Sequence, residues 1–277
     1  MSIQSLITAS LASAVLSASS DAITIYGLGS GGQIYSFDTL SPGTMNTVGA
    51  ATAGSIVDID FRGSNNKLYG LAATGATSTI SVSNGLITPL FTPSHSLGTV
   101  SGFDFNPALD RMRIIGGGVN NFRMVPDGIA GMTAGTVVNG AGGGDGMFGV
   151  PMGVTLLDVA YINPFNGGAG TNLFSIGSNG ILYNHPAIGA PQFNTISAVG
   201  PLGISLAGDI GFDIDASGTG YLVTGNSLYT VNLATGEANL SATLSQSLTS
   251  IAVVPEPSAT VLGGLAGLAV LRRRRTA

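Results

Sequence analysis

Three aspartates recur in one local setting. Asp60 follows Ile59 and precedes Phe61, Asp104 lies between Phe103 and Phe105, and Asp213 lies between Phe212 and Ile214. Each sits inside a short apolar run that a turn follows. A carboxylate repeated in this way supports two readings. Brought together, Asp60, Asp104 and Asp213 would bind a cation or a sugar, or pair as acid and base. Taken singly, each would accept backbone N–H bonds and fix the turn into the next element. The run Asp213-Ile-Asp215-Ala-Ser217-Gly218 also fits the opening of a calcium loop, with oxygen ligands at the first, third and fifth positions and a Gly for the sharp bend. Its twelfth position is Thr224, where an acidic ligand is expected. A hairpin turn accounts for the same residues.

Other chemistry is short of material. There is no Cys, and His95 and His185 stand in apparent loops with no carboxylate in a motif around them. Two His without Cys cannot close a structural zinc site. No Gly-x-Ser-x-Gly elbow is present. Glycoside hydrolysis needs an acid and a second carboxylate, and Glu237 is the only Glu before the C-terminal segment. Residues Gly142 to Gly146 form a Gly-rich loop, but no Gly-Lys-Ser/Thr follows, so they are not a phosphate loop. Asp38 and Asn232 sit in matching hairpins as Asx-type turn formers. The expectation is therefore a non-catalytic binding protein that needs no cofactor; the alternatives are a secreted carbohydrate-active hydrolase using Asp60, Asp104 and Asp213, or an adhesion module stabilised by Ca2+ at Asp213, Asp215 and Ser217.

The elements that must position these residues are strands. The chain has 277 residues, 43 of them Gly, and only 8% are charged. Of 14 acids, 12 are Asp, which favours turns, while helix-favouring Glu and Lys are nearly absent. Residues 21–254 carry 13 acids against 5 bases. That acidic body is a poor partner for nucleic acid, whose phosphates demand a Lys/Arg surface.

The short runs repeat. Strands are predicted at 55–61, 67–72, 78–82 and 87–91, and a second unit opens at Gly102 and closes near Val137 and Val138. A third opens at Leu157 and a fourth at Gly211; in the third, Tyr161 takes the place that Asp60 holds in the first. Residues 23–50 supply three strands without an opening one, and Leu248 to Val254 is an opening strand alone. Joined, the two ends make a fifth unit. Repeats of roughly 40–50 residues suit propeller blades, and closing the ring removes open sheet edges. An all-β, five-bladed β-propeller closed by its N- and C-terminal strands is the expected fold, with a β-sandwich or solenoid as the competitor. The opening strands would then line a central channel. Ile59-Asp-Phe-Arg62, Lys67-Leu-Tyr-Gly70, Gly102 to Pro107 with Asp110-Arg-Met-Arg113, and Leu228 to Gly236 resemble an uncharacterised secreted bacterial family, a domain of unknown function. The resemblance covers nearly all of residues 23–254 and implies no activity.

The two ends carry signals. Ile3 to Leu16 is weakly apolar and runs into small residues, like a signal peptide over 1–21, although no basic residue precedes Arg62. The body would span 22–254. Residues 255–277 place Pro255-Glu256-Pro257 before an apolar stretch of about 14 residues, or roughly 21 Å as a helix, too short for a comfortable span. Arg272, Arg273, Arg274 and Arg275 follow, and four adjacent cations hold that end on the cytoplasmic side. The tail resembles the PEP-CTERM sorting signal. That implies export, recognition of Pro255, Glu256 and Pro257 by an exosortase, and a transient membrane tail. The destination would be the cell surface or extracellular matrix, where a polysaccharide is a natural partner.

Overall fold

The computed structural model describes residues 22–51, 55–138, 145–162, 164, 172–186 and 193–255. Glu256, Pro257, Arg272 to Arg275 and the N-terminal segment 1–21 lie outside the described residues. Within the described residues every helix or strand is a strand, as the alternating β-branched and aromatic runs between Gly, Asn and Asp turns require.

Nineteen strands form five small antiparallel sheets. Blade 1 takes its innermost strand, β19 (Leu248–Val253), from the end of the chain and β1 (Thr24–Gly29), β2 (Ile34–Asp38) and β3 (Asn46–Val48) from the beginning. Ile25 pairs with Val253 and Leu28 with Ser250. Blade 2 is β4 (Ile56–Arg62), β5 (Lys67–Ala72), β6 (Thr77–Ile80) and β7 (Ile87–Phe91). Blade 3 is β8 (Val100–Asn106), β9 (Arg111–Gly116) and β10 (Asn120–Met124). Blade 4 runs β11 (Leu156–Tyr161), β12 (Leu173–Gly177), β13 (Ile181–His185) and β14 (Ser197–Pro201). Blade 5 runs β15 (Ile210–Ile214), β16 (Gly220–Thr224), β17 (Ser227–Val231) and β18 (Ala238–Thr243). The innermost strands follow one another around the axis as β19, β4, β8, β11 and β15, and β15 returns to β19. This is the five-bladed propeller expected from the repeats.

Blade 3 departs from the expectation. The strand expected near Val137 and Val138 is a single bridge, Met124 to Val137, and a second bridge joins Asn120 to Met147. Among the described residues these two bridges are what meets the outer edge of the blade.

Burial explains why five blades cohere. Each blade presents one face to either neighbour, so strand alternation distributes residues between two cores. In β5, Leu68 packs with blade 1 and Tyr69 with blade 3. In β16, Leu222 packs with blade 4 and Val223 with blade 1. Five apolar clusters result, one per junction. The chain has no disulfide, so these junctions and the paired ends of the ring carry its stability.

Candidate functional site

The inner edge of each innermost strand faces the axis and has no ladder partner there. Its N–H groups are buried and need acceptors. The aspartates supply them, in two layers along the channel.

The first layer holds Asp58 (blade 2), Gly102 (blade 3), Asp158 (blade 4), Gly211 (blade 5) and Ser250 (blade 1). Asp58 accepts from its own neighbour Ile59 N at 2.9 Å and from Phe103 N of the next blade at 2.6 Å. Asp158 accepts from Val159 N at 2.8 Å and from Phe212 N of the next blade at 2.7 Å. Ser250 accepts from Ile59 N at 3.0 Å and donates to Asp58 Oδ1 at 2.6 Å, joining blade 1 to blade 2. The glycines mark close approach. A Cβ on Gly102 would lie 2.4 Å from Asp158 Oδ1, and one on Gly211 would lie 2.4 Å from Ile251 N.

The second layer holds Asp60, Asp104, Ala160, Asp213 and Ala252. Asp60 accepts from Phe61 N at 2.7 Å and from Phe105 N at 3.0 Å. Asp104 accepts from Tyr161 N in blade 4. Asp213 accepts from Ile214 N at 2.6 Å and from Val253 N at 2.6 Å. Three carboxylates therefore satisfy the equivalent N–H of all five blades. The residue equivalent to Asp60 in blade 4 is Ala160 rather than Tyr161. Asp158 aligns with Asp58, each strand carrying its bulge just before that residue, so Ala160 falls level with Asp60.

The spacing of the aspartates follows from counting. One carboxylate has two oxygens and serves its own blade and the next, so alternate blades suffice. Five is odd, so alternation cannot close. In the second layer the excess falls on blades 2 and 3, where Asp60 and Asp104 are neighbours joined by a side-chain hydrogen bond. Two carboxyls can make that bond only if one is protonated. Across the two layers every junction is bridged by at least one side chain: Ser250, Asp58 with Asp60, Asp104, Asp158 and Asp213 in turn.

The electrostatics agree with a shared proton. Burial, first, and then Asp104 hold the Asp60 carboxyl well above the usual carboxylate range. Burial likewise raises Asp104, Asp158 and Asp213. Asp58 is pushed up to about 7 by burial, against the pull of its bonds from Ser250, Phe103 and Ile59.

Of the calcium-loop residues, Asp213 points into this ring. Asp215 is turned onto its own hairpin, where Oδ1 accepts from Ser217 N, Ser217 Oγ and Thr219 N at 2.7–2.9 Å. Asp38 and Asn232 cap their hairpins as expected, through Leu40 N at 2.7 Å and Ala234 N at 2.9 Å.

Two polar clusters lie away from the axis. Arg113 is fully buried in blade 3 and pairs with Asp145 at 2.8 Å, which also takes Arg123 at 3.1 Å. Asp145 thus anchors the end of the Gly-rich segment. His185 is not in a loop: it ends β13, fully buried, with Nε2 2.7 Å from Ser175 Oγ and Nδ1 2.8 Å from Phe193 O. The carbonyl needs a donor, so Nδ1 carries the proton and Nε2 accepts from Ser175. Burial pushes the ring down to about 4. A Ser–His contact of this kind resembles a nucleophile with its base, yet both side chains are sealed in the junction between blades 3 and 4. His95 is exposed, beside Ser94.

A funnel of about 480 Å³ opens at the mouth of the channel, where the innermost strands begin. Every blade contributes to it: Thr249, Val57, Ser101, Leu157 and Ile210 each stand one residue before the first layer. In four of the five strands that residue is the extra one of a β-bulge, as the register breaks at Leu28/Gly29, Ile56/Asp58, Val100/Gly102 and Leu156/Asp158 place it. Asp209 is the one charged side chain lining the funnel among the described residues. Repetition of the apolar opening strand was legible in the sequence; the bulge within it was not.

The chain belongs to a family described as a domain of unknown function, DUF4394, whose profile matches residues 33–252. No curated protein matches. Among solved structures, a Bacteroides uniformis protein provisionally described as a 6-phosphogluconolactonase is similar at 9% identity with a TM-score of 0.44, over 79% of this chain and 82% of that one.

Proposed function

We propose that this is an exported protein, sorted by its C-terminal signal to the cell surface or extracellular matrix, whose propeller is a non-catalytic binding module working through the funnel. The observation that carries this reading is the employment of the aspartates. Five of the chain's carboxyls line the axis, and each is bonded to backbone N–H of its own blade, the next, or both. None is left with two free oxygens over an open pocket, and the funnel itself offers one carboxylate. Acid–base hydrolysis takes two facing carboxylates in a cleft.

The path of the chain supports the sorting half. β1 starts opposite the end of β19, Ile25 against Val253, while Gly29 and Thr249 at the other ends of these strands line the funnel. Both ends of the described body therefore lie on the face opposite the funnel. A tail held in a membrane beyond Pro255 would turn the funnel outward, toward external partners.

The test is to express the whole chain in a host with an exosortase, recover surface material, and analyse it by mass spectrometry together with a glycan hydrolysis screen. The expected result is a product ending in the Pro255–Pro257 region that hydrolyses no glycan. A surface product retaining Arg272 would contradict sorting by cleavage, and turnover would contradict the non-catalytic reading.

A further inference from the structure

The funnel's chemistry narrows what it can take. The geometry points to a binding site for an uncharged saccharide, the end or a short stretch of a neutral glycan, at the mouth of the channel; this rests on the binding-module reading above.

The first argument is construction. Bulges re-aim a side chain and recur beside functional sites. Here one stands at the same position in four innermost strands, and Val57, Ser101, Leu157 and Thr249 are the residues it turns toward the funnel. A sheet closing a ring needs no such device at that position, because β15 lacks one and still pairs regularly with β16.

The second is charge. Among the described residues no basic group lines the funnel, and its one carboxylate is exposed. Beneath it lie Asp58 and Asp158, buried without a cation bonded to them. A phosphate, sulfate or uronate would meet the carboxylate of Asp209 and no basic partner.

The third is the mixture of surfaces. Hydroxyls of Ser101 and Thr249 are spent as donors, to Leu156 O at 3.1 Å and Leu28 O at 3.2 Å, and so face the ligand as acceptors. Asp209 adds two acceptor oxygens, and the turn Gly29–Gly32 brings backbone to the rim. Val57 and Leu157, partly buried, offer aliphatic area. Acceptors for a row of hydroxyls beside a surface for ring C–H groups describe a pyranose. A cation would use the carboxylate but waste the aliphatic side.

The experiment is calorimetric titration of the full chain with neutral gluco-, manno- and galacto-oligosaccharides, matched uronates and matched amino sugars. Asp209→Asn and Leu157→Arg are compared with Leu240→Arg, a control at an exposed outer-strand site. Melting temperatures are recorded for all. At least one neutral oligosaccharide should bind and its uronate counterpart should not. Asp209→Asn, at an exposed position, should weaken binding by several fold, and Leu157→Arg by about tenfold or more. Leu240→Arg should leave it unchanged. Preference for the uronate or the amine overturns the inference, as does the absence of any binding. Binding that ignores both funnel substitutions overturns the site but leaves the binding-module reading standing. Cleavage of the bound sugar overturns that reading and leaves the site.

Discussion

The ring aspartates are each a compromise between two opposing demands. Backbone N–H groups favour the ionised carboxylate, and burial beside other carboxylates favours the neutral acid. Burial prevails, so the folded protein holds these protons more tightly than the unfolded chain does. Their contribution to stability is therefore full below the ordinary carboxylate value of 3.8 and is lost as pH rises through the folded values, about 7 for Asp58 and well above 3.8 for the other four. His185 acts in the opposite sense. Its folded value near 4 lies below the ordinary 6.5, so its contribution is present above 6.5 and lost as pH falls toward 4. Above about pH 6.5 the decline belongs to the carboxyls alone. Urea unfolding midpoints should fall steadily from about pH 6.5 to 8.5. A midpoint that stays level or climbs over that range would mean the ring is already fully ionised. The positions of Asp60, Asp104 and Asp213 were legible in the sequence, because Gly-Phe-Asp recurs at 102–104 and 211–213 and Ile-Asp-Phe stands in the matching place at 59–61. What they bond was not. A turn-fixing role keeps an acceptor within a few residues, whereas Asp60 and Phe105 are 45 residues apart. Asp58 and Asp158 escaped notice because Gly102 and Gly211 fill the corresponding place in the other blades.

Strands were the most legible level. The grouping in fours of four blades and the borrowing of β19 by blade 1 follow from apolar runs separated by Gly, Asn and Asp turns. Two features did not follow. Among the described residues blade 3 has isolated bridges, Met124 to Val137 and Asn120 to Met147, in place of a fourth strand, and the bulges are invisible because one added residue leaves an apolar run looking the same. The β19–β1 pairing carries a consequence of its own. β19 supplies the whole inner strand of blade 1, with Leu248, Ile251 and Val253 in the cluster shared with blade 5 and Ala252 in that shared with blade 2. A chain ending at Ser247 would leave Leu28, Ile34 and the ring edge of β4 uncovered. It should lose cooperative unfolding altogether, as read by circular dichroism and calorimetry. A truncated body with the melting temperature of the intact one would show that the ends merely decorate a ring closed in some other way.

At the scale of the whole molecule, five blades without a disulfide are joined by five apolar junctions and a polar thread around the axis. The thread gives an odd ring a workable arrangement: two carboxylates and a serine in one layer, three carboxylates in the other, one proton shared where the alternation fails. It engages the axial aspartates with backbone N–H groups beneath the funnel. The junction where the thread meets the chain ends is that of blade 5 with blade 1. There the first layer has Gly211, and Asp213 is the side chain that reaches across, to Val253 N. Asn at 213 keeps the shape but has one acceptor oxygen for two N–H groups, and its amide N–H groups face a donor. The most direct measurement is the equilibrium urea unfolding of Asp213→Asn against the parent protein at one pH. The account predicts a loss of about 1–3 kcal/mol, read as a lower midpoint with the slope retained. An unchanged midpoint would contradict the claim that these carboxylates hold the ring together, and would return Asp213 to the candidates for chemistry.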